Sequence, residues 1–156
     1  MTIGAATATA PRLPPPVVLV LCGAIAWLLP AAWASPLPRA AHLAGIAIAI
    51  FGLCLNIAPK RVFRRHGTTV NPLHPERSTQ LVTTGPYRWT RNPMYLGHVL
   101  LLLGWALWLG QPLALLCVAA YALWIDRLQI PAEERILRAR FGAAYDAYLQ
   151  RVRRWF

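Results

Sequence analysis

Acidic residues and lysine are scarce in this chain. Its 156 residues include five Asp and Glu against sixteen Lys and Arg, and Lys60 is the single lysine. Charged residues make up 13% of the sequence, whereas hydrophobic residues make up 57%. So little charge beside so much apolar material is the composition of an integral membrane protein rather than of a soluble basic domain.

Cysteine is scarce as well, and the three cysteines indicate no site. Cys22, Cys54 and Cys117 lie in three different apolar runs, without the spacing of metal ligands. His66 and His74 do not complete a zinc site either. We therefore expect no disulfide framework, no redox function and no bound metal.

The formal charge of +11 would suggest nucleic acid, but the distribution of the basic residues argues against it. Seven of them lie between Lys60 and Arg91, and seven more lie between Arg127 and Arg154. Both clusters flank apolar segments, as basic residues do on the cytosolic side of membrane proteins. We therefore predict membrane lipids, and no nucleic acid, as partners of this charge.

Four apolar runs predict an all-α integral membrane protein with about four transmembrane helices in two hairpins. Small residues in the second run, such as Gly45 and Gly52, would let a neighbouring helix approach closely, and we pair this run with the first. Apolar residues at i, i+3 and i+4 near the C-terminus predict a cytosolic amphipathic helix. The predicted spans are residues 17–34, 42–58, 93–109 and 112–130, and the C-terminal helix is predicted at residues 131–152.

Residues 1–156 are expected to form one membrane-embedded domain, with residues 1–16 as a flexible tail. The first apolar run is either a retained span or a cleaved signal ending near Ser35, and its length favours a retained span. The polar loop and the C-terminus are both strongly basic, so both termini are expected in the cytosol. The many Ala, Leu and Arg residues suggest a high-GC bacterium, and hence its inner membrane.

Polar residues concentrate in two blocks, residues 81–97 and 131–138, which we expect to meet at one face of the membrane. Arg88, Arg91 and Arg138 would hold a carboxylate or a phosphate by charge-assisted hydrogen bonds. The structural alternative is that Arg138 only pairs with Glu134, four residues earlier on one helix.

Aromatic and acidic residues of the same blocks suit a cationic, nucleotide-like ligand. Ring faces attract cations and would cover an adenine or a sulfonium. Glu133 or Glu134 would accept a hydrogen bond from a ribose or an amino group, or act as a general base. The alternative is an interfacial belt, where tyrosine is common. The rings in question belong to Tyr87, Trp89, Tyr95, Tyr145 and Tyr148.

The order of these motifs resembles that of a known family. Thr-Gly-Pro-Tyr-Arg-Trp-Thr-Arg-Asn-Pro-Met-Tyr-Leu-Gly at residues 84–97 precedes a helical hairpin and then Glu133-Glu134-x-x-Leu137-x-x-x-Phe141-Gly142-x-x-Tyr145-x-x-Tyr148. Over residues 74–154 this is similar to the integral-membrane methyltransferases related to isoprenylcysteine carboxyl methyltransferase and the phospholipid N-methyltransferases. The resemblance implies an enzyme that uses S-adenosyl-L-methionine, and no G-x-G-x-x-G of a soluble nucleotide-binding fold is present.

The resemblance and the chemistry of the two polar blocks together predict which residues form the site. Arg91, Glu134 and Arg138 are predicted to be catalytic, and Arg88, Tyr145 and Tyr148 to bind the substrate. The predicted cofactor-binding residues are His74, Gly85, Pro86, Tyr87, Arg91, Asn92, Pro93, Tyr95, Gly97, Glu133, Glu134 and Leu137.

The methyl acceptor stays open at this point. Asn92 stands where isoprenylcysteine methyltransferases commonly have histidine, and the G-x-G element of the phospholipid enzymes is absent. A lipid-like or small hydrophobic carboxylate, amine or thiol is expected, with an arginine orienting an acid or Glu134 taking a proton from an amine. The alternatives are an NADPH-dependent membrane reductase related to sterol reductases, and a membrane protein without enzymatic activity.

Overall fold

The computed structural model describes residues 13–30, 37–65 and 81–156. These residues are helical and contain no strand, which confirms the all-helical prediction for this part of the chain. A 3-10 turn at Gly85–Arg88 precedes α3, and a π-helical turn at Ile125–Gln129 follows α4. The helices are α1 (Pro15–Leu28), α2 (Arg39–Arg65), α3 (Pro93–Leu109), α4 (Ala114–Trp124), α5 (Ile130–Phe141) and α6 (Ala143–Arg151).

Proline and glycine determine the ends of α3. Pro93 occupies the first turn, where its missing N–H group needs no partner. Gly110 follows the last residue with φ +63°, the left-handed conformation that commonly ends a helix. α3 therefore has the same bounds as the third predicted span.

α1 and α2 differ in length from the predicted spans. α1 ends at Leu28, because Leu29 is extended with ψ 143° before Pro30, as a residue preceding proline usually is. Residues 31–34 of that span lie outside the described residues. α2 is longer than predicted, since it continues through Pro59 into the basic residues that end at Arg65.

α4 and α5 form one continuous helix, although the sequence predicted a break before Pro131. The N–H of Ile130 donates to the carbonyl of Ile125, five residues back, in the π turn. This wider turn leaves room for the Pro131 ring, which lacks an N–H of its own, and the helix continues to Phe141. The predicted helix 131–152 is instead divided at Gly142, where φ is +51°.

Two helices, Arg39–Val62 and Ala114–Phe141, are long and apolar enough to cross a membrane. α1 and α3 are apolar but have only 14 and 17 residues. At 1.5 Å per residue they are about 21 and 25 Å long, whereas a hydrocarbon core is roughly 30 Å thick.

Glycines bring α2 and α3 into very close contact. A Cβ atom on Gly97 would lie 2.6 Å from the carbonyl oxygen of Gly52. A Cβ atom on Gly45 would lie 2.9 Å from the carbonyl oxygen of Gly104, two turns further along the pair. The small residues of α2 therefore do face a neighbouring helix, but that helix is α3, while α1 packs against α3 and α4.

Large apolar side chains cover the outer surface of the bundle. Its interior is a cluster around Tyr95, Leu102 and Tyr121. Apolar surface of this extent is unusual on a soluble protein and suits contact with lipid. The exposed side chains on α1, α2 and α4 include Val20, Leu21, Ile25, Leu28, Leu43, Ile50, Phe51, Leu53, Leu115, Leu116 and Leu123.

Candidate functional site

A tight turn places the first polar block beside the end of α2. Gly85 has φ +62°, and the following 3-10 turn is closed by the N–H groups of Trp89 and Thr90, which both donate to the carbonyl of Pro86. A Cβ atom on Gly85 would lie 3.0 Å from Cγ2 of Val62. Glycine thus permits both the backbone conformation and the contact with α2.

The segment Thr90–Asn92 holds the residues after α6. The N–H of Arg91 donates to the carbonyl of Arg153 at 3.0 Å. Thr90 Oγ1 and Asn92 Nδ2 both donate to the carbonyl of Arg154, at 3.0 and 3.1 Å. Asn92, which was predicted to bind the cofactor, therefore helps Thr90 to fix the C-terminal segment in place.

Arg91 connects this segment to α5. Its Nη1 donates to the carbonyls of Leu149 and Val152, at 3.2 and 2.9 Å, and its Nη2 donates to Glu134 Oε1 at 3.0 Å. The Arg91 side chain is 14% exposed. Its Nε is buried and has no acceptor among the described residues.

Arg154 binds the other side of the Glu134 carboxylate. Its Nη2 donates to Glu134 Oε2 at 2.8 Å, and its Nη1 lies 3.3 Å from Asp126 Oδ1. Trp155 Nε1 donates to the same Asp126 oxygen at 2.9 Å. The hydrogen bond with Glu134 raises the pKa of Arg154, so the guanidinium stays charged. Arg91, Glu134, Arg154 and Asp126 therefore form one ion-pair network of balanced charge.

Glu133 faces α3 instead. The hydroxyl of Tyr95 and Nε2 of Gln129 both donate to Glu133 Oε1, the latter at 2.7 Å. Oε2 receives no donor from the described residues. The four described carboxylates are those of Asp126, Glu133, Glu134 and Asp146, and within this set only Glu133 has no cationic partner.

The tyrosines of α6 pack beside the first turn. The hydroxyl of Tyr148 donates to the carbonyl of Tyr87 at 2.8 Å, and the rings of Tyr145 and Tyr148 lie 6.2 Å apart. Leu137 packs against this pair. Burial raises the pKa of the hydroxyls of Tyr87, Tyr145 and Tyr148, which therefore stay neutral.

Several predicted site residues lie apart from this network. Arg88 is exposed, and Arg138 pairs with Asp146 on the surface at 2.7 Å. The predicted helical pair between Glu134 and Arg138 is replaced by the contacts of Glu134 with Arg91 and Arg154. Gly97 and Pro93 are buried at the start of α3, and His74 lies outside the described residues.

Sequence reasoning missed Arg154, Asp126, Trp155 and Gln129. Gln129 precedes Glu133 by four residues, a spacing that places side chains on one helix face, so this contact was visible in principle. Asp126 is followed directly by Arg127, which it contacts at 3.5 Å, so the sequence alone suggests only a local ion pair there. Nothing in the sequence ties Arg154 to Glu134, since the contact depends on how the chain folds back after α6.

Replacing Arg154 by methionine is expected to lower the free energy of unfolding by about 2 kcal/mol. The change removes two hydrogen bonds to Glu134 and two to Asp126. Hydrogen bonds to charged groups are worth about 1.5–3 kcal/mol each, but the total is smaller here because the Arg154 side chain is 31% exposed and solvent screens its charge. Thermal unfolding in detergent measures the effect. Arg153→Met is the control, because the Arg153 side chain is exposed and only its backbone binds Arg91. Equal stability of the two variants would contradict the role given to the network.

The fold and the site together define a helical protein with an apolar outer surface and an ion-pair network beside the 3-10 turn at Gly85–Arg88. The family profile described as phospholipid methyltransferase matches residues 40–144. This range contains α2 to α5 and both polar blocks. The chain therefore belongs to the phospholipid methyltransferase family.

Individual relatives agree with this assignment. A probable protein-S-isoprenylcysteine O-methyltransferase of Oryza sativa subsp. indica is 32% identical over 111 residues, or 69% of this chain and 56% of the relative. Protein-S-isoprenylcysteine O-methyltransferase B of Arabidopsis thaliana is 30% identical over 108 residues, 69% of this chain and 55% of the relative. An uncharacterized protein of Haemophilus influenzae is 50% identical over 62 residues, 40% of this chain and 98% of the relative.

The chain spans little more than half the length of the two plant relatives. No solved structure is significantly similar to it. Among the described residues, no group of three or more His, Cys, Asp or Glu side chains is placed to hold a metal ion.

Proposed function

We propose that this protein transfers a methyl group from S-adenosyl-L-methionine to a lipid-like or small hydrophobic acceptor at the cytosolic face of a bacterial inner membrane. The observation that carries the proposal is the half-buried carboxylate of Glu133, which has no cationic partner among the described residues, beside the Arg91–Glu134 pair. Family membership supplies the reaction class, and the apolar surface of α1, α2 and α4 supports a position in lipid. In this proposal all four apolar helical stretches span the bilayer, and both termini face the cytosol.

The residues present fit a cationic, polar cofactor. When bound, S-adenosyl-L-methionine supplies an electrophilic methyl group on a sulfonium. Glu133 would provide negative charge towards such a cation. The buried Nε of Arg91, for which the described residues offer no acceptor, would donate to a carboxylate or a ribose oxygen. Tyr87, Tyr145 and Tyr148 would line the site with ring faces.

The chain's part in methyl transfer would be to position two ligands and to exclude water. A methyl transfer between aligned groups gains most from a near-attack geometry, which a fixed network can hold. Arg91 would orient an acidic acceptor, and Glu134 would take a proton from an amine. Arg138 is left out of the proposal, because its guanidinium pairs with Asp146 at the exposed surface.

Glu133→Gln is expected to weaken binding of S-adenosylhomocysteine at least about tenfold. The amide keeps an oxygen for Tyr95 and Gln129 but loses the negative charge, and tenfold corresponds to about 1.4 kcal/mol. Calorimetric titration of the full chain in detergent measures this affinity. Asp146→Asn is the matched control, since it makes the same change at a carboxylate that is 52% exposed and is expected to leave binding unchanged.

The same titration separates the competing functions. Binding of NADPH in place of S-adenosylhomocysteine would assign the protein to the reductases. Binding of neither ligand by a folded sample would favour a membrane protein without enzymatic activity. Equal affinities of wild type and Glu133→Gln for S-adenosylhomocysteine would contradict the role given to Glu133.

A further inference from the structure

The buried side chain of Gln129 has one polar atom, Oε1, without a hydrogen-bond partner among the described residues. Gln129 is 1% exposed, at the last position of the π turn. Its Nε2 donates to Glu133 Oε1, which fixes the orientation of the amide and directs Oε1 elsewhere. Oε1 is buried and accepts no hydrogen bond from the described residues. A buried amide oxygen of this kind is normally satisfied, so a partner other than the described residues is expected.

A second open oxygen belongs to the residue that Gln129 contacts. Tyr95 and Gln129 both donate to Oε1 of Glu133, so Oε2 is left without a donor in the described part of the chain. Gln129 Oε1 and Glu133 Oε2 therefore lie on either side of the hydrogen bond between Gln129 Nε2 and Glu133 Oε1. One carries negative charge and the other is a neutral carbonyl, and neither can donate a hydrogen bond.

The charge balance specifies the group that these oxygens would bind. The other three described carboxylates are each paired with arginine, whereas Glu133 has only neutral donors within the described part of the chain. A buried carboxylate is stable when a cation pairs with it and hydrogen bonds satisfy it. A primary ammonium meets both needs, because it carries positive charge and three N–H donors.

We propose that Gln129 is a further binding residue, and that Gln129 Oε1 and Glu133 Oε2 together accept hydrogen bonds from the α-ammonium group of the bound cofactor. The inference rests on the proposed function and names the part of the ligand that this side of the site holds. The Gln129 amide takes no part in chemistry. It orients Glu133 through Nε2 and binds the ammonium through Oε1.

The test compares two ligands that differ only in the ammonium group. S-Adenosylhomocysteine and its deamino analogue, which keeps the carboxylate, are titrated calorimetrically into the full chain in detergent. Wild type is expected to bind the first at least about tenfold more tightly. Gln129→Met is expected to reduce that preference several-fold, because methionine fills the space without an acceptor.

Gln111→Met is the matched control. Gln111 is also buried, and its Oε1 has no donor among the residues that the structure describes. Its Nε2 donates to the backbone carbonyl of Leu29, at the far end of α3. Its replacement is expected to leave both affinities unchanged. An unaltered preference in Gln129→Met would overturn the inference, as would an equal loss for both ligands in that variant.

The wild-type measurement tests the inference even where Gln129→Met does not fold. Equal affinity of wild type for the two ligands would overturn the inference and leave the proposed function standing. Absence of binding of S-adenosylhomocysteine to folded wild type would overturn the proposed function itself. The two failures are therefore distinguishable.

Discussion

Arg91→Met is expected to lower the proposed methyl transfer at least about 100-fold and the free energy of unfolding by about 3 kcal/mol. The Arg91 guanidinium makes three hydrogen bonds that join the segment before α3 to α5 and to the end of α6. Breaking a largely buried ion pair costs about 3–5 kcal/mol, and the lower value applies because Arg154 still neutralises Glu134. The expected loss of activity follows from misplacement of bound groups, for which a shift of about 1 Å can cost 100-fold.

Two further variants show whether geometry or charge matters at this position. Arg91→Lys keeps the positive charge, but an ammonium group cannot donate to the two carbonyls and the Glu134 carboxylate at once in the geometry of a guanidinium. Most of the activity is therefore expected to be lost. Arg135→Met removes a charge from an exposed position next to Glu134 and should change neither quantity. Thermal unfolding and transfer of a labelled methyl group to a lipid extract are the measurements. A fully active Arg91→Lys would contradict the bidentate role of the guanidinium.

Gly97→Ala is expected to destabilise the protein by about 3 kcal/mol, despite adding a better helix former. Its Cβ atom would lie 2.6 Å from the Gly52 carbonyl oxygen and 2.9 Å from the Asn56 nitrogen. Both are backbone atoms, so α2 and α3 would have to move apart. Overpacking of this kind costs about 1–3 kcal/mol and sometimes more. Because α3 also carries Tyr95, the movement should lower ligand affinity as well.

Gly23→Ala makes the same change in α1 and serves as the control for Gly97→Ala. The nearest atom to its Cβ would be Cδ2 of Leu102, at 3.8 Å, an ordinary van der Waals contact. The variant should be neutral, or more stable by up to about 1 kcal/mol through helix propensity. Unfolding midpoints in the same detergent compare the two. Equal stability of both variants would show that the α2–α3 contact is not as close as the structure indicates.

The parts of the fold that the sequence predicts are those controlled by local chemistry. Pro93 marks the start of α3 and Gly110 its end, because proline and glycine restrict or permit particular backbone conformations wherever they occur. The π turn before Pro131 was not predicted, because a proline at this position usually marks the start of a new helix. The wider turn accommodates Pro131 inside a continuous helix instead. The partner of α2 was assigned to the wrong helix, since Gly45 and Gly52 indicate close packing but do not name the neighbour.

Some contacts of the candidate site could also be predicted from the sequence, and others could not. The two polar blocks were expected to meet, and the structure brings Arg91 to Glu134 and Tyr95 to Glu133. The roles of these residues in catalysis and binding stay predictions. Arg154 could not be found from sequence, because its contact with Glu134 joins residues 20 positions apart across a chain reversal at Gly142.

The contacts between Thr90 and the segment after α6 join residues 64 positions apart. Loops of this length close late and slowly compared with the turns of a helix. During synthesis the glycine-lined pair α2–α3 is complete before α6 has been made. Arg154 is the last residue of the network to be synthesised, so Glu134 lacks its second arginine until the chain has passed the end of α6.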